Sequence, residues 1–290
     1  MLEQAAKADP RLLPARPDVA AAHLRETVTA DRYADGVAMA VSVPVASLTM
    51  TADPGAGTAT QLLFGERFTA YDTAADLAWG QAADGYVGYL PRACLVPADR
   101  RATHRVAALM THVYPEPDIK RPPVGQLCFG ALIAATAEDP RFVELADGGH
   151  VPAQHLVPRE EPAADWVAEA ERFLGAPYLW GGRSPAGLDC SALVQLALQA
   201  AGQHCPRDSD MQEAALGRDI DPDGALARGD IVFWRGHVGI MLGASRLLHA
   251  NAHHMAVAVE PLARTRKRLL AGGDGPVTRA ARLDAAMLTR

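Results

Sequence analysis

A cysteine at position 190 and histidines at 237 and 249 are the residues of this chain best suited to covalent chemistry. Cysteine attacks as a thiolate, so whatever lowers its proton affinity decides whether it reacts. The loop segment Tyr178-Leu179-Trp180-Gly181-Gly182-Arg183 is followed by Leu188-Asp189-Cys190-Ser191-Ala192-Leu193-Val194, which opens an apolar helical run. Asp189 is a good N-cap residue. It predicts Cys190 in the first helical turn, beside unpaired backbone N–H groups and the positive end of the helix dipole. A histidine within reach would complete an ion pair there. Taken alone, a cysteine is more simply read as a small buried hydrophobe. Here the surrounding residues favour a nucleophile.

In Arg235-Gly236-His237-Val238-Gly239-Ile240-Met241-Leu242 a strand places His237, Gly239 and Met241 on one face and Val238, Ile240 and Leu242 on the other. The second face is expected in the core, with Gly239 leaving room on the first for a substrate or a helix terminus. His237 is the expected base. His249 follows twelve residues later across Gly243-Ala244-Ser245. An odd-length loop would put both imidazoles on the same face, and a two- or four-residue loop would separate them. Tyr178 precedes Cys190 by twelve residues. An oxyanion needs donors besides the Cys190 backbone N–H, and a phenol can supply one; the alternative is a packed aromatic. Trp180 is expected to wall a substrate cleft rather than fill the core.

Three kinds of element must hold these groups. Trp166, Val167, Ala170, Phe173 and Leu174 form the apolar stripe of a helix that Gly175 stops. A second helix runs from Cys190 to Gly202. Ile231 to Trp234, Val238 to Leu242 and Arg246 to Ala250 read as antiparallel strands. Upstream, Gln61-Leu62-Leu63-Phe64-Gly65 recurs 65 residues later as Gln126-Leu127-Cys128-Phe129-Gly130, and Asp84-Gly85-Tyr86-Val87 is echoed by Asp147-Gly148-Gly149-His150-Val151. Short strands, frequent turns and this period predict two small β-barrels in tandem. The expected division is an N-terminal arm with a short helix (1–35), two barrels (36–98 and 99–160) and a final domain (161–290).

The chain has 290 residues, 49% of them hydrophobic, enough for two or three cores. Its net charge of −6, from 28 basic and 34 acidic residues, argues against a nucleic-acid partner. Arg264-Thr265-Arg266-Lys267-Arg268 is expected to be a solvated surface strand or turn. Four cysteines, Cys94, Cys128, Cys190 and Cys205, are too scattered for a disulfide framework. They show no CxxC or Cys/His spacing for zinc, so neither a metal nor another cofactor is expected. A reducing compartment suits them. The polar start of the chain has no apolar core of a signal peptide, and the stretch from Gly36 to Met50, broken by Pro44, is too short to span a bilayer. A cytoplasmic location and no membrane partner are therefore expected.

Phe173 to Asn251 resembles the NlpC/P60 cysteine peptidases. The likeness rests on Leu174-Gly175-Ala176-Pro177-Tyr178-Leu179-Trp180-Gly181-Gly182, Leu188-Asp189-Cys190-Ser191, Arg228-Gly229-Asp230-Ile231-Val232-Phe233-Trp234, His237-Val238-Gly239-Ile240 and Leu248-His249-Ala250, in the family's order. Ala192 stands where the family usually has glycine, and an extra pair, His253-His254, follows the third catalytic position. The two repeats resemble bacterial SH3 domains. The implied fold is α+β, a papain-like NlpC/P60 domain behind two SH3-like barrels. By resemblance His249 orients His237 through its second ring nitrogen. A neutral orienter supports an imidazolium less than a carboxylate does, so Cys190 should lean more on its helix N-terminus.

The family mostly hydrolyses the bond between γ-D-glutamate and a diamino acid in peptidoglycan stem peptides. With SH3-like domains in front, the chain is similar to γ-D-glutamyl-L-diamino-acid endopeptidases of murein peptide recycling, which require a free N-terminal L-Ala. Such a site must hold an ammonium. Asp189 and Ser191 flank the nucleophile and offer suitable oxygens, and by resemblance Asp208 and Ser209 line the same pocket; each reads equally as a cap or turn residue. By resemblance Glu66 of the first repeat, where the second has Ala131, helps bind the amine with Tyr86 nearby; Glu66 reads equally as an ordinary loop carboxylate. The implied partner is the peptide L-Ala-γ-D-Glu-diamino acid, and no protein partner is indicated. The alternatives are a secreted peptidoglycan endopeptidase whose SH3-like domains bind the wall, and a non-enzymatic wall-peptide-binding protein.

Overall fold

A computed structural model describes residues 9–53 and 55–284. The reading of residues 1–8 as lacking an export signal falls outside them. The chain divides into two compact units, Met1–Arg159 and Glu160–Arg290.

The first unit is built almost wholly of strands. β1 (Val19–Ala21) pairs in parallel with β2 (Arg32–Ala34). A seven-stranded antiparallel sheet follows, from β3 (Val37–Val41), β4 (Val45–Thr49), β5 (Thr58–Leu63), β6 (Arg67–Ala74), β7 (Leu77–Ala82), β8 (Val87–Pro91) and β9 (Leu95–Pro97), in the order β5-β4-β8-β7-β6-β3-β9. β10 (His104–Val106), β11 (Met110–Val113), β12 (Gly125–Cys128), β13 (Leu132–Ile133), β14 (Ala135–Glu138), β15 (Phe142–Leu145), β16 (His150–Pro152) and β17 (Leu156–Pro158) repeat the plan in shorter strands. They enclose a core of Val106, Leu127, Ala131, Ile133, Leu145 and Val151. Each half ends in a single 3-10 turn, Arg92–Cys94 or Ala153–His155, leading into its last strand. Gly65 and Gly130, the matching ends of the repeated motif, both take positive φ, +77° and +88°. That conformation costs glycine least.

Where the N-terminal arm (1–35) was expected to carry a short helix, residues 19–24 form β1 and one 3-10 turn, Ala22–Leu24. Val19 is drawn into a cluster with Trp79 and Val87, so tertiary packing overrides local preference. Arg16 secures this arm: its guanidinium lies 4.6 Å over the Trp79 ring and donates to Asp72 at 2.5 Å and to the Tyr89 hydroxyl at 2.9 Å.

In the second unit α1 (Trp166–Glu171) is capped by Asp165, whose carboxylate accepts from the Val167 and Ala168 N–H groups. Trp166, Val167, Ala170 and Phe173 are buried as the stripe requires, while Leu174, expected among them, is exposed. β18 (Arg183–Ser184) and β19 (Gly187–Leu188) make a small hairpin before α2 (Cys190–Ala200) and α3 (Ser209–Ala215). The main sheet is antiparallel, from β20 (Arg218–Ile220), β21 (Asp230–Trp234), β22 (His237–Met241), β23 (Arg246–Asn251), β24 (Ala256–Pro261) and β25 (Arg279–Arg282), in the order β20-β25-β21-β22-β23-β24. α4 (Leu262–Gly272) follows β24.

All of α2 except Gln199 is buried, and it packs against β22 and β23. Leu262 and Leu269 of α4 pack with Val232, Trp234, Met241 and Leu247. β22 is therefore buried on both faces, not on one as its alternation suggests. The space beside Gly239 is filled by Leu247, whose side chain a Cβ there would meet at 2.8 Å. The basic run Arg264–Arg268 is likewise part of helix α4, not a strand or turn. Its Thr265 is buried and its Arg268 bonds Glu260.

Candidate active site

Cys190 is the first residue of α2 and only 7% exposed. Asp189 caps the helix, its Oδ1 accepting from the Ala192 N–H at 2.9 Å. Asp189 Oδ2 accepts from the Gly181 N–H at 3.0 Å, which ties the Tyr178–Gly182 loop to the start of α2. Gly181 does this at φ +72°, and Gly182 approaches the Gly187 carbonyl so closely that a Cβ would lie 2.4 Å from its oxygen. Two consecutive glycines are what this crossing requires.

Behind the cap stands a charge that sequence reasoning did not weigh. Arg207, 1% exposed, forks onto Asp189 with Nη1–Oδ1 at 2.9 Å and Nη2–Oδ2 at 2.7 Å, and also donates to the Ser191 hydroxyl at 2.9 Å. Ser191 in turn donates to Asp189 Oδ1 at 3.1 Å. The side chains of Asp189 and Ser191 are thus committed to holding Arg207 and the helix start. Their oxygens, expected to offer themselves to an ammonium, are found facing Arg207 and the start of α2. Asp208 and Ser209 begin α3, half-buried, directly after Arg207. Gln212 of α3 donates to the Ser191 and Pro206 carbonyls, at 2.9 and 2.8 Å, joining α3 to the nucleophile's turn.

The base is approached along a diagonal of the sheet. β22 and β23 pair Met241 with Leu247, which leaves five residues, 242–246, between them; this is the odd spacing that puts both imidazoles on one face. His237 Nε2 lies 2.8 Å from His249 Nδ1. β23 and β24 pair Leu247 with Glu260 and His249 with Ala258, so Glu260 lies on that face too. His249 Nε2 is 3.0 Å from Glu260 Oε2. His249 is fully buried, and Glu260 also accepts from Thr265 Oγ1 at 3.1 Å and from Arg268.

The tautomers follow from this chain of donors and acceptors. Burial opposes charge on Glu260, but the hydrogen bonds from Arg268 and Thr265 and the Arg268 charge hold its carboxyl below the ordinary value. An ionised Glu260 accepts, so His249 carries its proton on Nε2 and presents the Nδ1 lone pair to His237. His237 therefore carries its proton on Nε2, and its Nδ1 is free to take one. The backbone N–H of Val238, next to His237, donates to the Cys190 sulfur, as does that of Ser191.

At rest the reacting groups are neutral. Burial, then the Asp189 carboxylate, push the Cys190 thiol up to about 12 against the Val238 and Ser191 N–H groups and Arg207. Burial, then His249, bring His237 down to about 3, and burial brings His249 down to about 4 against the pull of Glu260. One expectation is corrected: the orienting histidine does not stand alone but is backed by a carboxylate. Tyr178 is half-buried, its phenol raised to about 12 by burial and then by Cys190 and Asp189. It remains a protonated donor beside the nucleophile. Its N–H donates to the Met255 carbonyl at 2.9 Å. Trp180, 72% exposed, is not a core residue.

Glu66 and Tyr86 belong to the first unit. The Glu66 carboxylate accepts from the Leu63 N–H at 2.8 Å across a tight turn, and Tyr86 is buried in the β7–β8 turn. They share one end of the β6–β7 ladder, where Ala83 donates to Arg67.

A buried thiol at a helix start, a histidine relay and a phenol are the parts of a cysteine peptidase, and residues 175–269 match the NlpC/P60 family. The second unit is an NlpC/P60 domain. Residues 49–95 match the bacterial dipeptidyl-peptidase Sh3 domain, so the cysteine peptidase domain follows an SH3-like β domain in the sequence. The chain is 30% identical to dipeptidyl-peptidase 6 of Lysinibacillus sphaericus over 56% of its own length and 66% of the relative's. It is 32% identical to the γ-D-glutamyl-L-lysine dipeptidyl-peptidase of Bacillus subtilis over 47% of this chain and 46% of that one. The alignments therefore span two thirds or less of these relatives. A crystal structure of an NlpC/P60 family protein from Bacillus cereus shares the fold, with a TM-score of 0.71 and 21% identity over 84% of this chain and 99% of that one.

Proposed function

We propose that this chain hydrolyses the bond between γ-D-glutamate and a diamino acid in peptidoglycan-derived peptides with a free N-terminal L-Ala. It would release the dipeptide L-Ala-γ-D-Glu, in cytoplasmic recycling of murein peptides. The observations that carry the reaction type are the His237–His249–Glu260 chain and the Cys190 thiol at the start of α2, which the N–H of Val238, the residue after His237, approaches. The bond and substrate class rest on the γ-D-glutamyl-L-lysine dipeptidyl-peptidases among its relatives.

The resting neutral pair sets the order of events. As the substrate carbonyl arrives, the Cys190 proton passes to His237 Nδ1 while Sγ bonds to the carbonyl carbon. The charge on His237 is shared with His249 and met by Glu260, so the carboxylate acts at the moment the imidazolium forms. The backbone N–H of Cys190 and the Tyr178 hydroxyl are the donors for the oxyanion. The imidazolium returns its proton to the departing amine, leaving a thioester on Cys190. Water, deprotonated by His237, then frees the dipeptide. Asp208 and Ser209, at the start of α3, are the oxygens we assign to the substrate's terminal ammonium.

Incubating the full chain with L-Ala-γ-D-Glu-L-Lys or its diaminopimelate counterpart tests this by mass spectrometry. The expected products are L-Ala-γ-D-Glu and the free diamino acid, with none from Cys190→Ala. Cleavage at the L-Ala–D-Glu bond, or none at all, contradicts the proposal.

A further inference from the structure

The turn joining β23 to β24 carries the histidine pair that the reaction does not use. One ligand atom from each of His253, His254 and Glu260 lies within 4.8 Å of the other two. His254 Nε2 is 3.8 Å from Glu260 Oε1, and the two imidazoles meet edge to face with centroids 4.8 Å apart. Both rings are exposed, whereas Glu260 is buried.

The hydrogen bonds around this trio fix which atoms carry lone pairs. Asn251 Nδ2 donates to the His249 carbonyl at 3.3 Å, so Asn251 Oδ1 is the amide's acceptor end. That oxygen takes the His254 N–H at 2.9 Å and faces His254 Nδ1 at 3.0 Å. Neutral His254 therefore holds its proton on Nδ1, and its Nε2 lone pair points at Glu260 Oε1. A histidine whose distal nitrogen is steered in this way is the usual arrangement around a bound metal. The other carboxylate oxygen, Oε2, is filled by His249, Thr265 and Arg268. Two acceptors facing each other, with the exposed His253 ring beside them, suit a cation between them.

We propose that His253, His254 and Glu260 bind a divalent ion of the zinc class, and that its occupancy slows the peptidase. Two imidazoles and one carboxylate with an open fourth position are a common zinc donor set. Zinc–nitrogen bonds near 2.0–2.1 Å in a tetrahedron bring ligand atoms to roughly 3.3 Å, a contraction that rotation of two exposed rings can supply. Arg268, on the same carboxylate, opposes the ion and weakens its hold. Sequence spacing does not suggest this site, because its third ligand comes from the returning strand of the hairpin.

The consequence follows from the shared carboxylate. An ion on Oε1 withdraws charge from Oε2 and leaves the His249–His237 pair less able to accept the Cys190 proton. The turn also holds Met255, whose carbonyl accepts the Tyr178 N–H, so the ion would also stiffen the strand end that positions the phenol. Binding stands independently of the peptidase reading; the loss of rate rests on it.

The test keeps the two apart. Zinc is titrated by calorimetry into the full-length Cys190→Ala chain, which lacks the thiol as a competing ligand. Cobalt is titrated in parallel and followed by visible absorption. One equivalent should bind, with tetrahedral cobalt bands and no sulfur charge transfer, and His253→Ala or His254→Ala in that background should weaken binding at least tenfold. No binding, or binding that ignores both substitutions, overturns the site. With Cys190 intact, chelator-treated His253→Ala should hydrolyse peptide at the rate of the unsubstituted chain and need at least tenfold more zinc for half inhibition. Equal zinc sensitivity overturns the coupling.

Discussion

At the scale of single residues, Glu260 extends the proposed histidine pair. His237 faces His249, and His249 faces a carboxylate held by Arg268 and Thr265. Glu260→Gln keeps the shape and removes the charge. It should lower kcat at least tenfold with little change in KM, because the carboxylate acts on the base and not on the bound substrate. A change confined to KM would place Glu260 in substrate binding instead. His249→Ala should behave in the same way and more severely. Cys190→Ala should abolish hydrolysis while shifting Tm little; survival of activity within tenfold would remove Cys190 as the nucleophile. Cys190, His237 and His249 were legible because each sits in a recognisable local pattern. Glu260 was not, although a lone carboxylate within Ala256-Val257-Ala258-Val259-Glu260-Pro261 is itself a signal: a charge in an apolar strand must find a partner.

At the scale of elements, the N-terminus of α2 is stabilised by a buried ion pair that arrives from a distant part of the chain. Arg207 satisfies both Asp189 oxygens and Ser191 at once. Removing one partner of such a pair leaves the other charge buried and alone, at a cost of about 3–5 kcal/mol. Arg207→Ala should therefore lower the unfolding free energy of the second unit, read from urea denaturation, by that amount and carry activity down with it. A loss under about 1 kcal/mol would mean water replaces the guanidinium. The helix start at Cys190, the three strands around His237 and His249, and the tandem turns of the first unit could be read from caps, alternation and repeats. The fate of Arg264–Arg268 could not. A dense basic run looks solvated, yet Thr265 within it and Leu262 and Leu269 on either side recur at helical spacing and turn it onto the sheet. The arm at Val19 was misread for the opposite reason, since its burial depends on Trp79, sixty residues away in sequence.

At the scale of the whole molecule, the buried neutral histidines make stability depend on pH. In the unfolded chain imidazoles take up protons near 6.5; folded, His237 and His249 do so only near 3 and 4. Between those values the unfolded state binds more protons, so stability present above pH 6.5 should be lost as pH falls toward 4. The Cys190 thiol, raised from 9.0 to about 12, gives the opposite limb: stability should fall as pH rises above 9. Thermal melts across pH 4–10 should show a plateau between these limits, and His249→Gln should flatten its acid edge. Among the described residues no helix is long and apolar enough to cross a membrane.

The central claim is a peptidase that acts on γ-D-glutamyl peptides with a free amino terminus, and kcat/KM on L-Ala-γ-D-Glu-L-Lys against its N-acetyl form tests it most directly. Acetylation removes the cation that the proposal pairs with Asp208, and losing one partner of such a charge pair costs on the order of 2–5 kcal/mol. The account predicts a fall of roughly 30-fold or more for the acetylated peptide. Equal rates on the two peptides would contradict it and favour a hydrolase of intact wall.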